Sequence, residues 1–212
     1  MKKLFLISIF FVFISLDLII CVNQHENPTT KTTTPSSIIN PYRPRDHIVS
    51  PHDFSYIINP GYSVCNQSSN SSVYVLVYVH SGPTNYQRRM VIRETWSTRT
   101  LFPDLRLVFM IGKSMDKTVM KAIGYENELY RDIVQEDFID SYKNLTYKGI
   151  MALKWISNYC SQTKYVLKVD DDVVVNTFTM MNHLKFIDKD DPNKQGTILC
   201  LLWKSMGVMR DR

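Results

Sequence analysis

The chain has no dense basic tract. Its net charge is +5, and the Lys and Arg residues are scattered along 212 residues. Nucleic acid is therefore not its natural partner, while a compact polyanion such as a nucleotide diphosphate suits a modest, dispersed positive charge. Neither the GxGxxG dinucleotide fingerprint nor a P-loop pattern occurs, which excludes the two glycine-rich phosphate cradles. There is no CxxC and no Cys/His cluster, so nothing suggests zinc. No internal repeat is found, which argues against solenoids and propellers. What is present is ordinary for a globular domain: 44% hydrophobic and 12% aromatic residues, enough for one domain with appendages.

The N-terminus carries an address. Lys2 and Lys3 precede an apolar run over residues 4–22 that only Asp17 interrupts. A bilayer span needs roughly 17–25 such residues. A cleaved signal peptide is the other reading, but no A-x-A-like pair of small residues follows, which favours an uncleaved anchor. Lysines ahead of the span keep residues 1–3 cytoplasmic and send the rest across. Residues 23–72 then read as a lumenal stem: TTKTTTPSS, NPYRPRDH and NPGY show no sustained periodicity. Asn66, Asn70 and Asn144 head glycosylation sequons. Cys21 lies in the anchor. Cys65, Cys160 and Cys200 face an oxidising lumen, where pairing is permitted, but three is an odd number and the pairing stays open.

From residue 73 to 212 strands alternate with helices. VYVLVYV over residues 73–79 is a continuous apolar run, as expected of a strand buried on both faces. A helix follows over 86–96, a strand over 105–111 ended by Gly112, a helix over 118–130, and a short strand over 133–135. An acidic loop over 136–140 comes next, then a helix over 145–160 with Ile150, Leu153, Ile156 and Cys160 near helical spacing. A strand over 165–169, a helix over 178–185 and a last strand over 197–202 complete the pattern. This order predicts an α/β domain with a mostly parallel sheet.

The stretch that bears chemistry is KYVLKVDDDVVVN, residues 164–176. Carboxylates set between apolar segments are costly unless something positive compensates them. In extended chain Asp170 and Asp172 share one face and Asp171 points away. Two carboxylates on one face at a strand end suit a hard cation such as Mg²⁺ or Mn²⁺, which keeps open positions for the phosphates of a diphosphate substrate. An acidic turn without a ligand is the plainer alternative. Arg89 and Arg93, four apart on the first helix, offer planar donors to a phosphate or to a buried carboxylate, and both readings stay open. Trp96 and Trp155 read as core. His80 occupies a possible base position in the loop after the first strand.

RRMVIRETW (residues 88–96), DSYKNLTYKGIMALKW (140–155) and YVLKVDDDVVVN (165–176), in this order and separation, resemble the β-1,3-galactosyltransferase family, which includes β-1,3-N-acetylglucosaminyltransferases. The resemblance covers residues 73 to the end. It implies a GT-A fold in a single-pass type II Golgi membrane protein. It also implies Mn²⁺, a donor such as UDP-galactose or UDP-N-acetylglucosamine, and a glycan acceptor on glycoprotein or glycolipid. Transfer would be β-1,3 with inversion. Carried over residue by residue, Asp172 and Asp170 are metal ligands, and Asp170, Asp171, Ser81, Arg89 and Arg93 form or brace the nucleotide-sugar site. Family members continue beyond the aspartate strand into an acceptor half with a later acidic motif, so residues 73–212 correspond to an incomplete, donor-binding part, and the base is expected downstream. Were the base already here, Asp137, Asp140 and His80 would be the candidates. Two rival expectations remain: a non-catalytic UDP-sugar-binding relative, and a lumenal phosphatase in which DDDVV serves as a DxDx(T/V) nucleophile motif.

Overall fold

The apolar run after residue 73 does form a strand buried on both faces, with Val75, Leu76, Val77 and Val79 all without exposed surface. Around it the computed structural model describes residues 20–21, 52–65 and 73–190. The elements are β1 (Ile20–Cys21), β2 (Tyr56–Ile58), β3 (Val75–His80), α1 (Tyr86–Glu94), β4 (Leu105–Lys113), α2 (Lys117–Tyr130), β5 (Ile133–Ile139), α3 (Leu145–Tyr159), β6 (Tyr165–Asp170) and α4 (Thr177–Asp190). The sheet order is β1-β6-β3-β4-β5-β2. The four long strands are mutually parallel, and β2 and the two-residue β1 flank them antiparallel. This is the α/β domain with a mostly parallel sheet that the alternating pattern predicts.

Strand alternation divides the core into two layers. Val75, Val77, Val79 and Phe109 face α1, α2 and α4, where Ile92, Ile123, Met180 and Leu184 meet them. Leu76, Met110, Val134 and Val166 face α3 through Met151, Ala152 and Trp155. Trp155 has no exposed surface and Trp96 is 7% exposed, so both are core residues. The buried face of α3 differs from the expected one. Ile150 and Leu153 are exposed, and the stripe Lys148, Met151, Ala152, Trp155 and Ile156 is buried instead. The stripe with aromatic bulk against the sheet prevails over the aliphatic one, as the larger apolar area favours.

Two boundaries also differ, for one reason. Residues 52–65, read from sequence as the end of a stem, pack on the α3 side of the sheet. There β2 pairs with β5, Tyr56 opposite Glu136. That pairing draws the acidic stretch 136–139 into β5 as strand rather than loop, with Glu136 fully buried against His52. Asn59 binds Trp155 Nε1 and Tyr159 Oη, both at 2.9 Å, and a disulfide joins Cys65 to Cys160. A bridge across 95 residues removes about 4–5 kcal/mol of unfolded-chain freedom in the loop-entropy model. Strand β4 continues past Gly112 to Lys113. A Cβ on Gly112 would lie 2.6 Å from the Phe138 ring and 3.0 Å from the Asp140 backbone, so only glycine lets β4 and the end of β5 approach so closely.

The expected strand over 197–202, Cys200, Asn66, Asn70 and all of the 4–22 segment except Ile20 and Cys21 lie outside the described residues. Among the described residues no helix is long and apolar enough to cross a membrane.

Candidate functional site

The order β6-β3-β4-β5 has a reversal in it. The chain steps outward from β3 through β4 to β5, then returns to lay β6 on the other side of β3. In open α/β sheets the crevice outside the carboxyl ends of such a strand pair is where ligands bind. Residues 81–85 leave β3 there, and Asp171 and Asp172 leave β6 there, with His80 directly opposite Asp170 in register.

Asp171 turns inward. Its Oδ2 accepts from Ser81 Oγ and from Asn85 Nδ2, both at 2.7 Å, and its Oδ1 accepts from Arg88 Nη1 at 2.9 Å. Burial alone would raise the carboxyl, but the Asn85, Ser81 and Arg88 donors outweigh it and hold it below the usual carboxylate range. Asn85 occupies the N-cap position of α1, where its side chain would ordinarily accept from the first helical N–H groups. It makes no such cap and serves Asp171 instead. Asp170 and Asp172 turn outward, with side chains 54% and 66% exposed. Lys168 Nζ stands 2.6 Å from Asp170, and Arg88 Nη1 stands 3.8 Å from Asp172. Asp171 is thus set apart from its neighbours by burial, but β6 ends at Asp170 and the two exposed carboxylates rest on different partners, Lys168 and Arg88.

Behind the loop lies a buried ion network. Arg89, 1% exposed, binds Glu126 with Nε at 2.8 Å and Nη2 at 2.6 Å, and donates through Nη1 to Ser81 Oγ and Gly82 O. Arg93 grips Asp132 through Nε and Nη2 and reaches Glu126 at 2.8 Å. The sequence left phosphate and buried carboxylate open for these two arginines, and here both hold carboxylates. From the other side Lys148 Nζ donates to Ser81 O at 2.7 Å and pairs with Asp140. Asp140 also accepts from the Gly112 N–H.

Ser81 is thus gripped at its hydroxyl by Arg89 and at its carbonyl by Lys148. Sequence reading singled out Ser81, Arg89 and the aspartates but not Asn85, Arg88, Lys148 or Glu126. A signal existed for Lys148, which falls on the Met151/Ala152/Trp155 stripe at helical spacing. Glu126 follows buried Ile123 by three in the same way. Burial, with Lys168 and Lys148 close by, pulls the His80 imidazole down to about 4, so it is neutral at neutral pH. Its Nε2 is buried without a hydrogen-bond partner. Asp137 is remote from the turn and caps the Ser55 N–H at the β2 edge. Asn144 donates its amide to Ile139 O at the start of α3.

A hard divalent cation takes oxygen ligands, and Asp170 and Asp172 present exposed carboxylates at the carboxyl end of β6. Among the described residues no group of three or more His, Cys, Asp or Glu is placed to hold a metal. Two carboxylates are what a Mg²⁺- or Mn²⁺-type ion would use if substrate phosphates and water completed its shell.

An α/β domain with this polar site beyond β3 and β6 is of the class that handles nucleotide-type ligands at a strand reversal. The galactosyltransferase family model matches residues 87–211, more than half of the chain. Human beta-1,3-galactosyltransferase 1 is 33% identical over 134 residues, which is 62% of this chain and 40% of that protein. Mouse beta-1,3-galactosyltransferase 2 is 34% identical over 137 residues, 63% of this chain and 32% of that protein. The chain belongs to the galactosyltransferase family. It matches about 40% of the length of the first of these relatives. Family membership sets aside the phosphatase expectation, since the aspartate run sits inside the matched region.

Proposed function

We propose that this chain carries the donor-binding portion of a β-1,3-glycosyltransferase. The reaction moves galactose or N-acetylglucosamine from a UDP-sugar to a glycan acceptor with inversion. The observation that carries this reading is the division of labour within Asp170–Asp172. Three donors hold Asp171 inward, and that contact presents Asp170 and Asp172 to solvent at the carboxyl end of β6. These two would hold Mn²⁺ or Mg²⁺, which when bound offsets the charge on the departing diphosphate.

The chain's own residues prepare that position. Asp171 fixes the turn. Arg88, whose side chain is 53% exposed, is the arginine with donors open toward a phosphate. Arg89, Arg93 and Ser81 brace the loop from behind. Lys168 and Arg88 temper the repulsion between neighbouring carboxylates until a cation arrives. With the apolar run over residues 4–22 and the three sequons, the reading includes a type II Golgi membrane anchor and a glycosylated lumenal body.

Calorimetric titration of UDP into the folded chain tests the site. UDP binding that is much weaker in chelator than in Mn²⁺ is expected. Equal UDP affinity with and without metal would sink the assignment. Carbonate extraction and endoglycosidase digestion of the microsomal product test the topology, and a soluble, sugar-free product would overturn it.

A further inference from the structure

The amino ends of the parallel strands carry a second polar concentration, at the end of the sheet opposite the aspartate turn. Arg106 is the second residue of β4, Arg131 and Asp132 immediately precede β5, and Arg93 lies in the last turn of α1. Together with Arg99 they line a cavity of about 400 Å³. That volume lies within the usual range for small-ligand pockets, roughly 300–1,000 Å³. Among the described lining residues Asp132 is the one acid. It is already engaged, because both its oxygens accept from Arg93 at 2.8 and 2.7 Å. Arg93 is held further by the Tyr130 and Phe109 rings, 4.1 and 4.7 Å from its guanidinium carbon.

Among the described residues no carboxylate is hydrogen-bonded to Arg106, and Asp104 acts on it only through space. Arg106 is 6% exposed, its Nη1 donates to the carbonyls of Pro103 and Leu105, and its Nε is buried without an acceptor. Burial and the nearby Arg99 work against its positive charge, and Asp104 offsets part of this. A buried cation held by carbonyls and only partly offset by a carboxylate gains from a further negative group. Arg131 stands exposed beside it, its backbone in the left-handed region at φ 53° where it closes α2. Guanidinium groups that line one cavity from β4, the end of α2 and the end of α1 suit an anion with several oxygens and more than one charge, such as a phosphoryl or sulfuryl group.

We infer that the cavity lined by Arg106, Arg131, Arg99 and Arg93 binds a phosphate- or sulfate-ester anion. This site is separate from the aspartate turn and does not rest on the transfer reaction. A six-residue strand such as β3 puts about 20 Å between the two ends of the sheet. Three sources carry this chemistry: a soluble phosphate ester, a sulfated sugar, and the headgroup of an anionic lipid.

The test is calorimetry on the full chain with glycerol phosphate, a sugar 6-sulfate and anionic phospholipid vesicles, each at constant ionic strength against chloride. Saturable binding of at least one is expected, and the one bound names the source. Arg106→Gln should weaken it about tenfold or more, the loss expected of one charge-assisted hydrogen bond. Arg131→Gln should weaken it several-fold, Arg131→Lys less, and UDP binding in Mn²⁺ should not change with either. Should Arg106→Gln fail to fold, as circular dichroism would report, Arg131→Gln alone decides. Affinity unchanged by Arg131→Gln, or displacement by chloride as effective as by the ester, means adventitious anion binding only and overturns the inference.

Discussion

Two sets of arginine–carboxylate contacts meet at the loop after β3, and they differ chiefly in their access to water. In one, Arg89 and Glu126 are 1% and 2% exposed and Arg93 is 9% exposed. In the other, Arg88 is 53% and Asp172 is 66% exposed, with Asp171, 7% exposed, at the boundary. Identical chemistry therefore does different work. Exposed pairs are screened and contribute about 0–1 kcal/mol, so their charges stay available to a third party. A buried pair is not available, since removing one partner leaves an uncompensated charge away from water. The buried set accordingly fixes the position of the loop, and the open set is left to meet a ligand.

The sharpest way to break that contrast is Glu126→Gln. Glu126 is the bridge between Arg89 and Arg93, and the amide would leave Arg89 without its counter-charge in the interior and Arg93 with Asp132 alone. A loss of about 3–5 kcal/mol is expected, a large part of the roughly 5–15 kcal/mol that holds a domain together. Urea denaturation should show a lower midpoint with an unchanged slope. A midpoint within error of the parent would mean that the buried network is not the brace described above.

The open set was legible in sequence and the buried set was not, for a physical reason. Three aspartates between apolar runs, with strand alternation, are enough to set Asp171 apart from the exposed Asp170 and Asp172. Arg89 and Arg93 were visible as a pair on one side of α1, but the choice between phosphate and carboxylate depended on Glu126, thirty-seven residues away on α2. No local pattern encodes such a partner. The same limit applies to residues 52–65. Their Pro, Asn and Ser content reads as linker, and only the pairing of Tyr56 with Glu136, the Trp155–Asn59 hydrogen bond and the Cys65–Cys160 bridge bind them to the domain. The buried face of α3 failed differently: two apolar stripes compete on that helix, and the sheet selects the one carrying Trp155.

Asp171→Asn probes the boundary between the two sets and is expected to cost less. Its carboxylate accepts three hydrogen bonds, one of them charge-assisted, so the loss should be about 1.5–3 kcal/mol. The pH dependence gives it a signature. Asp171 is held below its ordinary value in the folded chain, so its contribution is fully present above the unfolded value of about 4. That contribution is lost as pH falls through the folded value. The parent should therefore lose stability on acidification below about pH 4 more steeply than Asp171→Asn. Parallel stability curves for the two proteins would show that the three donors do not favour the ionised form.

Asp172→Ala should have the smallest effect on the fold and the largest on the proposed chemistry. The side chain is 66% exposed and, among the described residues, its one ion-pair contact is Arg88 at 3.8 Å, beyond hydrogen-bond distance. A surface change of this kind costs within about 0.5 kcal/mol, so the urea midpoint should not move. Removing the charge from Asp172 also lowers repulsion against Asp170 and Asp171, which offsets part of even that small loss. UDP binding in Mn²⁺ should nevertheless fall at least tenfold, while the weaker binding expected in chelator should not change. The combination is what matters. A variant that loses stability and binding together would place Asp172 with the buried set. A variant that keeps both would remove it from the donor site and leave Asp170, beside Lys168, as the residue to test next.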